Sequence, residues 1–442
     1  MGAIPGGGLH RAVCSSVACQ LLGVLCLLTM CGIAQSDEAA IRSRVRGMLL
    51  GSLIGDAAGG PVEFKSNDEL NRWLPNLRAM TADEYKAWAG AFSKEQRFKL
   101  LPYAGIRDEV APYGPWEEQA AAGTITDDSR HKAVLLSCMR DFIAAADAGR
   151  ETANRMSDRS LAKAYIDYGS TFARRGKDRY AALAVESFTE YVAAARWILG
   201  ERNLAVANPP QRLWSGIATC SGQMTLLPLA AIYPGDADSA YRAAYAMGFV
   251  DVGTGKDINA MLVAGLASAI GDGSQRPEER WANALEAMRT TDPYRYADVP
   301  FAGRPATQWL AFAIDAANRA DGVPARLFDI LEKEGRAKYY WDAHFTFASA
   351  IACLQFAKFN TLEAMTVSLA FGHDTDSAAQ VIGALGGAVE GESVFPVEAK
   401  QQVARRFKED YGEEIQEWTQ LLVQLQDRDR FPNPVRFVES TE

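Results

Sequence analysis

From Ile41 to Ala58 the chain reads as a helix, and Gly47, Gly51, Gly55 and Gly59 recur along it and just beyond it at every fourth position. Residues four apart stack on one helix face, so this spacing makes a ridge without side chains. Each glycine inside a helix costs ~1 kcal/mol relative to alanine. Four on one face are tolerable when a second helix lays its own backbone against the ridge, a contact that any side chain would obstruct. The chain is thereby committed to at least one close helix pair near its start.

The rest of the chain keeps the same period. Apolar residues, rich in alanine, recur at three- and four-residue steps in Lys132–Ala146, Ser160–Arg174, Ala181–Leu199, Asp257–Ala269, Phe345–Phe356, Ser377–Glu390 and Val397–Lys408. The alternation expected of half-buried strands is hardly visible. Hydrophobic residues make up 48% of the 442, enough for a sizeable core, and no long low-complexity linker divides them. This pattern predicts an all-α fold, a single large helical-bundle domain over roughly 37–432. The least helical stretch is Leu101–Gly123, where Pro102, Pro112, Gly114 and Pro115 force loop geometry.

Residues 1–34 differ. They hold no acid, a weakly basic start at His10 and Arg11, and an apolar run from Val17 to Met30, shorter than the ~20 residues of a membrane span. Gly32 and Ala34 fit the −3 and −1 positions of a signal-peptidase cut before Gln35. The expectation is a signal peptide and an exported protein, periplasmic or extracellular. The alternative is a lipoprotein leader cut before Cys31, although Met30 is bulky for that place. A membrane enters only through such a lipid anchor or an uncleaved leader. Four of the seven cysteines fall in this segment, leaving Cys138, Cys220 and Cys353 without CxxC spacing, which indicates neither a disulfide framework nor a zinc site. Removing the segment with its one Arg takes the net charge from −9 to −10, a surface that disfavours nucleic acid as a partner.

Two acid clusters, Thr126-Asp127-Asp128 and Asp374-Thr375-Asp376-Ser377, each precede a helix-like run. Capping explains one Asp or Thr at such a place, because side-chain oxygens take orphan amides and negative charge suits the helix dipole. The second carboxylate of each cluster exceeds that need. If the fold joins the clusters, four carboxylates and several hydroxyls share one pocket, which requires hard cations or strongly raised pKa values.

The order of segments is distinctive: Arg46-Gly-Met-Leu-Leu-Gly-Ser-Leu-Ile-Gly-Asp56-Ala-Ala-Gly-Gly-Pro-Val-Glu63-Phe64, then Gly123-Thr-Ile-Thr-Asp-Asp128, then Gly372-His-Asp-Thr-Asp-Ser377. It resembles the ADP-ribosylglycohydrolase family, the group that includes the dinitrogenase-reductase-activating glycohydrolases, over nearly all of the chain after the leader. The resemblance implies an all-helical fold with two Mg²⁺ ions, Mn²⁺ being the substitute. Thr126, Asp127 and Asp128 would hold one metal edge, and Asp374, Asp376 and Ser377 the other. Glu63 would contact a metal-bound water or the ribose; without the resemblance it reads as a surface carboxylate after Pro61. Glu63, Asp127 and Asp128 are the candidates for proton transfer as a glycosidic bond breaks through an oxocarbenium-like transition state. The implied substrate is an ADP-ribosylated protein or a small ribosyl conjugate.

The chain departs from the family pattern at Cys220-Ser-Gly-Gln-Met224-Thr225, where relatives carry Asn-Gly-small-small-Met-Arg in a loop that cradles the phosphate and distal ribose. Ser221, Gly222 and Met224 remain expected substrate contacts, and an arginine in place of Thr225 is expected to restore a phosphate partner. His373 stands where glycine is common and is expected to put a titratable ring beside the metals, as proton donor or as substrate-side wall. Tyr113 and Trp116 are candidates for stacking on a base such as adenine. His131 and His344 read as packing or surface residues. The competing function is a non-catalytic ADP-ribose- or nucleotide-binding or structural protein that retains the fold, although a scaffold has no reason to crowd so many carboxylates. Hydrolysis at phosphorus is a third reading.

Overall fold

The glycine ridge lies in a helix over 38–59 that packs antiparallel against the helix Thr375–Glu390. A Cβ on Gly47 would sit 2.5 Å from the Gly387 carbonyl oxygen, on Gly51 2.0 Å from that of Gly383, and on Gly55 2.1 Å from that of Ala379. On Gly59 it would sit 2.3 Å from the Cα of Asp376. The partner helix reciprocates, since a Cβ on Gly383 or Gly387 would meet the Gly51 and Gly47 carbonyls at 2.0 Å. The Thr375 hydroxyl donates to the Gly59 carbonyl at 2.9 Å. Backbone-to-backbone contact therefore fixes the register of the pair and brings the end of the first helix beside the second acid cluster.

This computed structural model describes residues 2, 38–101, 122–149, 155–174, 181–299, 303–426 and 436–438. The expected leader and the stacking candidates Tyr113 and Trp116 lie outside the described residues. The fold is all-α, and the helices read from periodicity are present, among them Asp127–Asp147, Asp158–Arg174, Ala181–Ile198, Thr254–Gly271, Ala343–Phe356 and Val397–Tyr411. The Thr254–Gly271 helix is apolar on nearly every side and buried almost throughout, as a helix at the centre of a core must be. It packs against Ala237–Met247, Pro277–Thr290, Ala343–Phe356 and Thr375–Glu390. No helix among the described residues is long and apolar enough to cross a membrane.

Three short helices escape the periodicity argument: Asn67–Trp73, Ala82–Gly90 and Lys94–Leu100. Each is announced instead by a capping box, Ser66 with Glu69, Thr81 with Glu84 and Ser93 with Gln96, a local signal that needs no long apolar face. Among the described residues the strands are Arg155–Ser157 and Arg436–Val438, paired in parallel with Met156 opposite Phe437. Paired chain therefore continues past the expected boundary at 432.

Candidate functional site

Thr126 is the N-cap of the Asp127–Asp147 helix, and its hydroxyl accepts the Asp128 amide at 3.2 Å. A residue of the glycine helix completes this cap. Asp56, fully buried, accepts the Thr126 amide through Oδ1 at 2.9 Å and the Ser129 amide through Oδ2 at 3.1 Å, and Oδ2 also takes the Ser129 hydroxyl. With Thr126 and Asp56 serving the helix end, the carboxylates of Asp127 and Asp128 are released from capping.

The second cluster opens the Thr375–Glu390 helix, where the N-cap residue Asp374 makes no capping hydrogen bond. Asp376 accepts the Ser377 amide at 2.9 Å, and the Ser377 hydroxyl reaches across to donate to Asp128 Oδ1 at 3.1 Å. The fold thus joins the clusters. Ligand oxygens of Glu63, Asp374 and Asp376 lie within 4.8 Å of one another, and so do those of Asp127, Asp128 and Asp376. Asp376 belongs to both sets.

Burial pushes the carboxyls of Glu63, Asp128 and Asp376 well above the ordinary range, and neighbouring acids push further, Asp376 acting on Glu63 and Asp128, and Asp374 on Asp376. Asp374 rises to about 7 through burial and then the Asp128 charge. Oε2 of Glu63 is buried without a hydrogen-bond partner. An orphaned oxygen inside a set of hard oxygen donors is what a divalent cation would complete, so the cluster could bind metal.

Behind the carboxylates lies a contact that sequence reasoning missed. Lys132 is buried at 1% exposure. Its Nζ donates to the Asp128 carbonyl at 3.0 Å and to Gln380 Oε1, while Gln380 Nε2 donates to Asp128 Oδ1. Burial pulls the amine down to about 8 against the attraction of the acids. The available signal was a lysine four residues after Asp128, a spacing that on sequence reads as an ordinary solvated pair. Asp56 was legible only as one acid ending an apolar, glycine-rich helix.

The carboxylates open on a cavity of about 240 Å³ lined by Glu63, Asp127, Asp128, Asp374 and Ser377 on one hand and Phe64, Tyr191, Trp214 and Trp341 on the other, with Thr219, Cys220, Ser221 and Met224 between them in the chain. The Cys220 thiol lies 3.5 Å from both Asp374 Oδ2 and the Ser377 hydroxyl. Trp214 Nε1 donates to the Tyr191 hydroxyl at 3.1 Å, which lies 2.7 Å from that of Ser221. Phe64 and Trp214 hold φ of 53° and 47°, unusual for bulky residues. For Phe64 the cause is visible: its amide donates to the His373 carbonyl at 2.9 Å, and its ring meets Trp341 edge-on at 6.0 Å. A larger cavity of about 500 Å³, lined by Arg159, Arg202, Lys256 and Asp251 among others, shares none of these residues.

Four expectations need correction. The His373 ring stacks on Tyr340 at 3.8 Å and lies 3.6 Å from Glu332, so it does not line the cavity, and its part there is the carbonyl that holds Phe64. Gly222 turns its amide to Asp251 at 3.0 Å, and a Cβ there would lie 2.0 Å from Asp251 Oδ2, so this residue secures the loop from behind. Thr225 is fully buried, donating to the Ser221 carbonyl at 2.8 Å beside Tyr165, which leaves no space for an arginine facing the cavity. Glu63, read as a surface group without the resemblance, is 6% exposed. The Thr126 hydroxyl accepts the Asp128 amide at the helix cap and is not among the cavity-lining groups, and it keeps a second lone pair for the expected metal edge. His131 is packed among Tyr165, Phe188 and Tyr191, and His344 against Trp309.

Fold and site together define an all-helical protein with a buried carboxylate cluster able to take cations. The chain belongs to the ADP-ribosylglycohydrolase family, which it matches over residues 37–431. Among solved structures it is similar to one described as an ADP-ribosylglycohydrolase-related protein complex, at 17% identity and a TM-score of 0.47, covering 88% of this chain and 100% of that chain. No curated protein sequence matches it.

Proposed function

We propose that the protein hydrolyses the glycosidic bond of an ADP-ribosyl or related ribosyl conjugate with two Mg²⁺ ions, or Mn²⁺, in the carboxylate cluster. The observation that carries this reading is the pair of oxygen sets sharing Asp376, with the unpartnered Glu63 Oε2 among them. Glu63, Asp374 and Asp376 would hold one ion, and Asp127, Asp128 and Asp376 the other. Bound there, the ions supply Lewis acidity toward the vicinal hydroxyls of a ribose and toward an attacking water.

The chain's own groups supply the rest. Asp128 is engaged by Ser377 and Gln380, so of the three acid–base candidates Glu63 and Asp127 have oxygens left to move a proton at the anomeric carbon. A cavity of about 240 Å³ is small beside the ~300–1,000 Å³ that encloses drug-sized ligands. It fits a sugar ring and leaves the distal nucleotide toward the mouth, where Phe64, Trp214 and Trp341 are 46%, 40% and 36% exposed and offer aromatic faces to a base.

The expected result is slow release of ADP-ribose from ADP-ribosyl-arginine or ADP-ribosyl-serine peptides in the presence of Mg²⁺, lost in Asp374→Ala. Bound metal with no cleavage of any ribosyl conjugate would favour the non-catalytic binding protein. Export remains part of this proposal. Mass spectrometry of the native protein is expected to find Gln35, or a lipidated Cys31, at the N-terminus, and an intact Met1 on cytosolic protein would refute it.

A further inference from the structure

We infer that Lys132 makes the two halves of the carboxylate cluster unequal, so that a first divalent ion enters at Glu63, Asp374 and Asp376 and a second enters more weakly at Asp127, Asp128 and Asp376. The inference rests on the metal reading above and adds which residues set the order.

Lys132 leaves the Asp127–Asp147 helix one turn after Asp128 and ends against that residue's carbonyl at 3.0 Å and against Gln380. Gln380 in turn donates to Asp128 Oδ1 and receives the Ser52 hydroxyl at 3.3 Å from the glycine helix. The amine is thus seated between two helices at one side of the cluster, its Gln380 partner being braced by a third. The acids that attract it most are Asp128, Asp56, Asp376 and Asp127. A buried cation among carboxylates is a resident counter-charge, and it leaves the Asp127–Asp128 half partly neutralised before any metal arrives. An incoming divalent ion meets like charge there, a repulsion weakly screened at a buried site. On the other half, no Lys or Arg is among the charges that act most on Glu63 and Asp374, and Glu63 keeps the orphaned Oε2. The geometry therefore favours occupation of the Glu63 half first.

The test is calorimetric titration of the protein with Mn²⁺ and with Mg²⁺ at pH 7. Wild type is expected to bind in two steps separated by about tenfold or more in Kd. Glu63→Gln removes the tighter step and Asp127→Asn the weaker. Lys132→Met brings the weaker step to within about threefold of the tighter, because the repelling charge is gone while the helix is kept, and Lys132→Arg retains the wild-type separation. If Lys132→Met fails to fold, Lys132→Gln removes the charge and retains a polar donor on a side chain one bond shorter, and it is read the same way. Two equal steps in wild type, or a weaker step left unchanged or further weakened by loss of the charge, overturn the inference and leave the metal reading standing. Absence of binding in wild type and in every variant overturns both.

Discussion

The two acid clusters look alike in sequence and are held in place by different means. At Thr126–Asp128 the helix end is served by side chains: Thr126 caps one amide, and Asp56 reaches over from the glycine helix to take two more. At Asp374–Ser377 the N-cap side chain makes no capping bond. There the helix is positioned by backbone pressed against backbone along Gly47, Gly51, Gly55 and Gly59. The first cluster is adjustable, since side chains can repack. The second is rigid, since main-chain contact at this distance admits no substitution. Asp376, the carboxylate common to both oxygen sets, sits on the rigid side.

The largest expected effect comes from breaking the rigid side. Gly51→Ala places a methyl 2.0 Å from the Gly383 carbonyl, and overpacking against backbone should cost about 3 kcal/mol or more. Gly90→Ala, where a Cβ meets nothing within 4 Å, is the control and should change stability by less than about 0.5 kcal/mol. Thermal or urea unfolding decides it, and equal effects at the two sites would show that the ridge is not a contact surface.

Next in size is the separation of ligand from positioning carboxylate. Asp376→Asn should abolish the rise in melting temperature on adding Mg²⁺ or Mn²⁺, because stabilisation by a ligand follows from binding to the folded state and both oxygen sets lose a member. Asp56→Asn should lower metal-free stability by about 1–3 kcal/mol, the cost of disturbed buried hydrogen bonds, and keep the metal response. A reversed pattern would exchange the two assignments.

The pH dependence is smaller and has a definite sign. Asp374 in the fold titrates at about 7, whereas an unfolded aspartate does so near ~3.9. Between those values the folded state holds more protons than the unfolded one, so metal-free stability should fall as pH rises through the window. The raised positions of Glu63, Asp128 and Asp376 act in the same direction. Metal competes with those protons, so the metal-induced rise in melting temperature should grow from pH 6 to pH 8. Melting curves with and without Mg²⁺ that run parallel across this range would contradict the assignment. The smallest effect is Thr126→Ala, a lost cap worth about 1 kcal/mol, with Asp56 still holding the neighbouring amides.

Sequence alone determined the helical period, the need for a close helix pair at the glycines, and the carboxylates that exceed capping, because each is carried by spacing within one segment. The resemblance to relatives joined the two clusters and picked out Glu63. Other features depended on segments far apart in the chain, so no local pattern could reveal them. Asp56 capping a helix that begins 71 residues later, where 127 − 56 = 71, is one such feature, and Lys132 meeting Gln380 across 248 residues is another. His373 shows the limit most plainly. Its neighbours in sequence are metal-ligand candidates, yet its φ of 69° sends the carbonyl to Phe64 and leaves the ring on Tyr340. Spacing specifies where a residue lies along the chain, and only the packing of the whole fold decides which way its side chain faces.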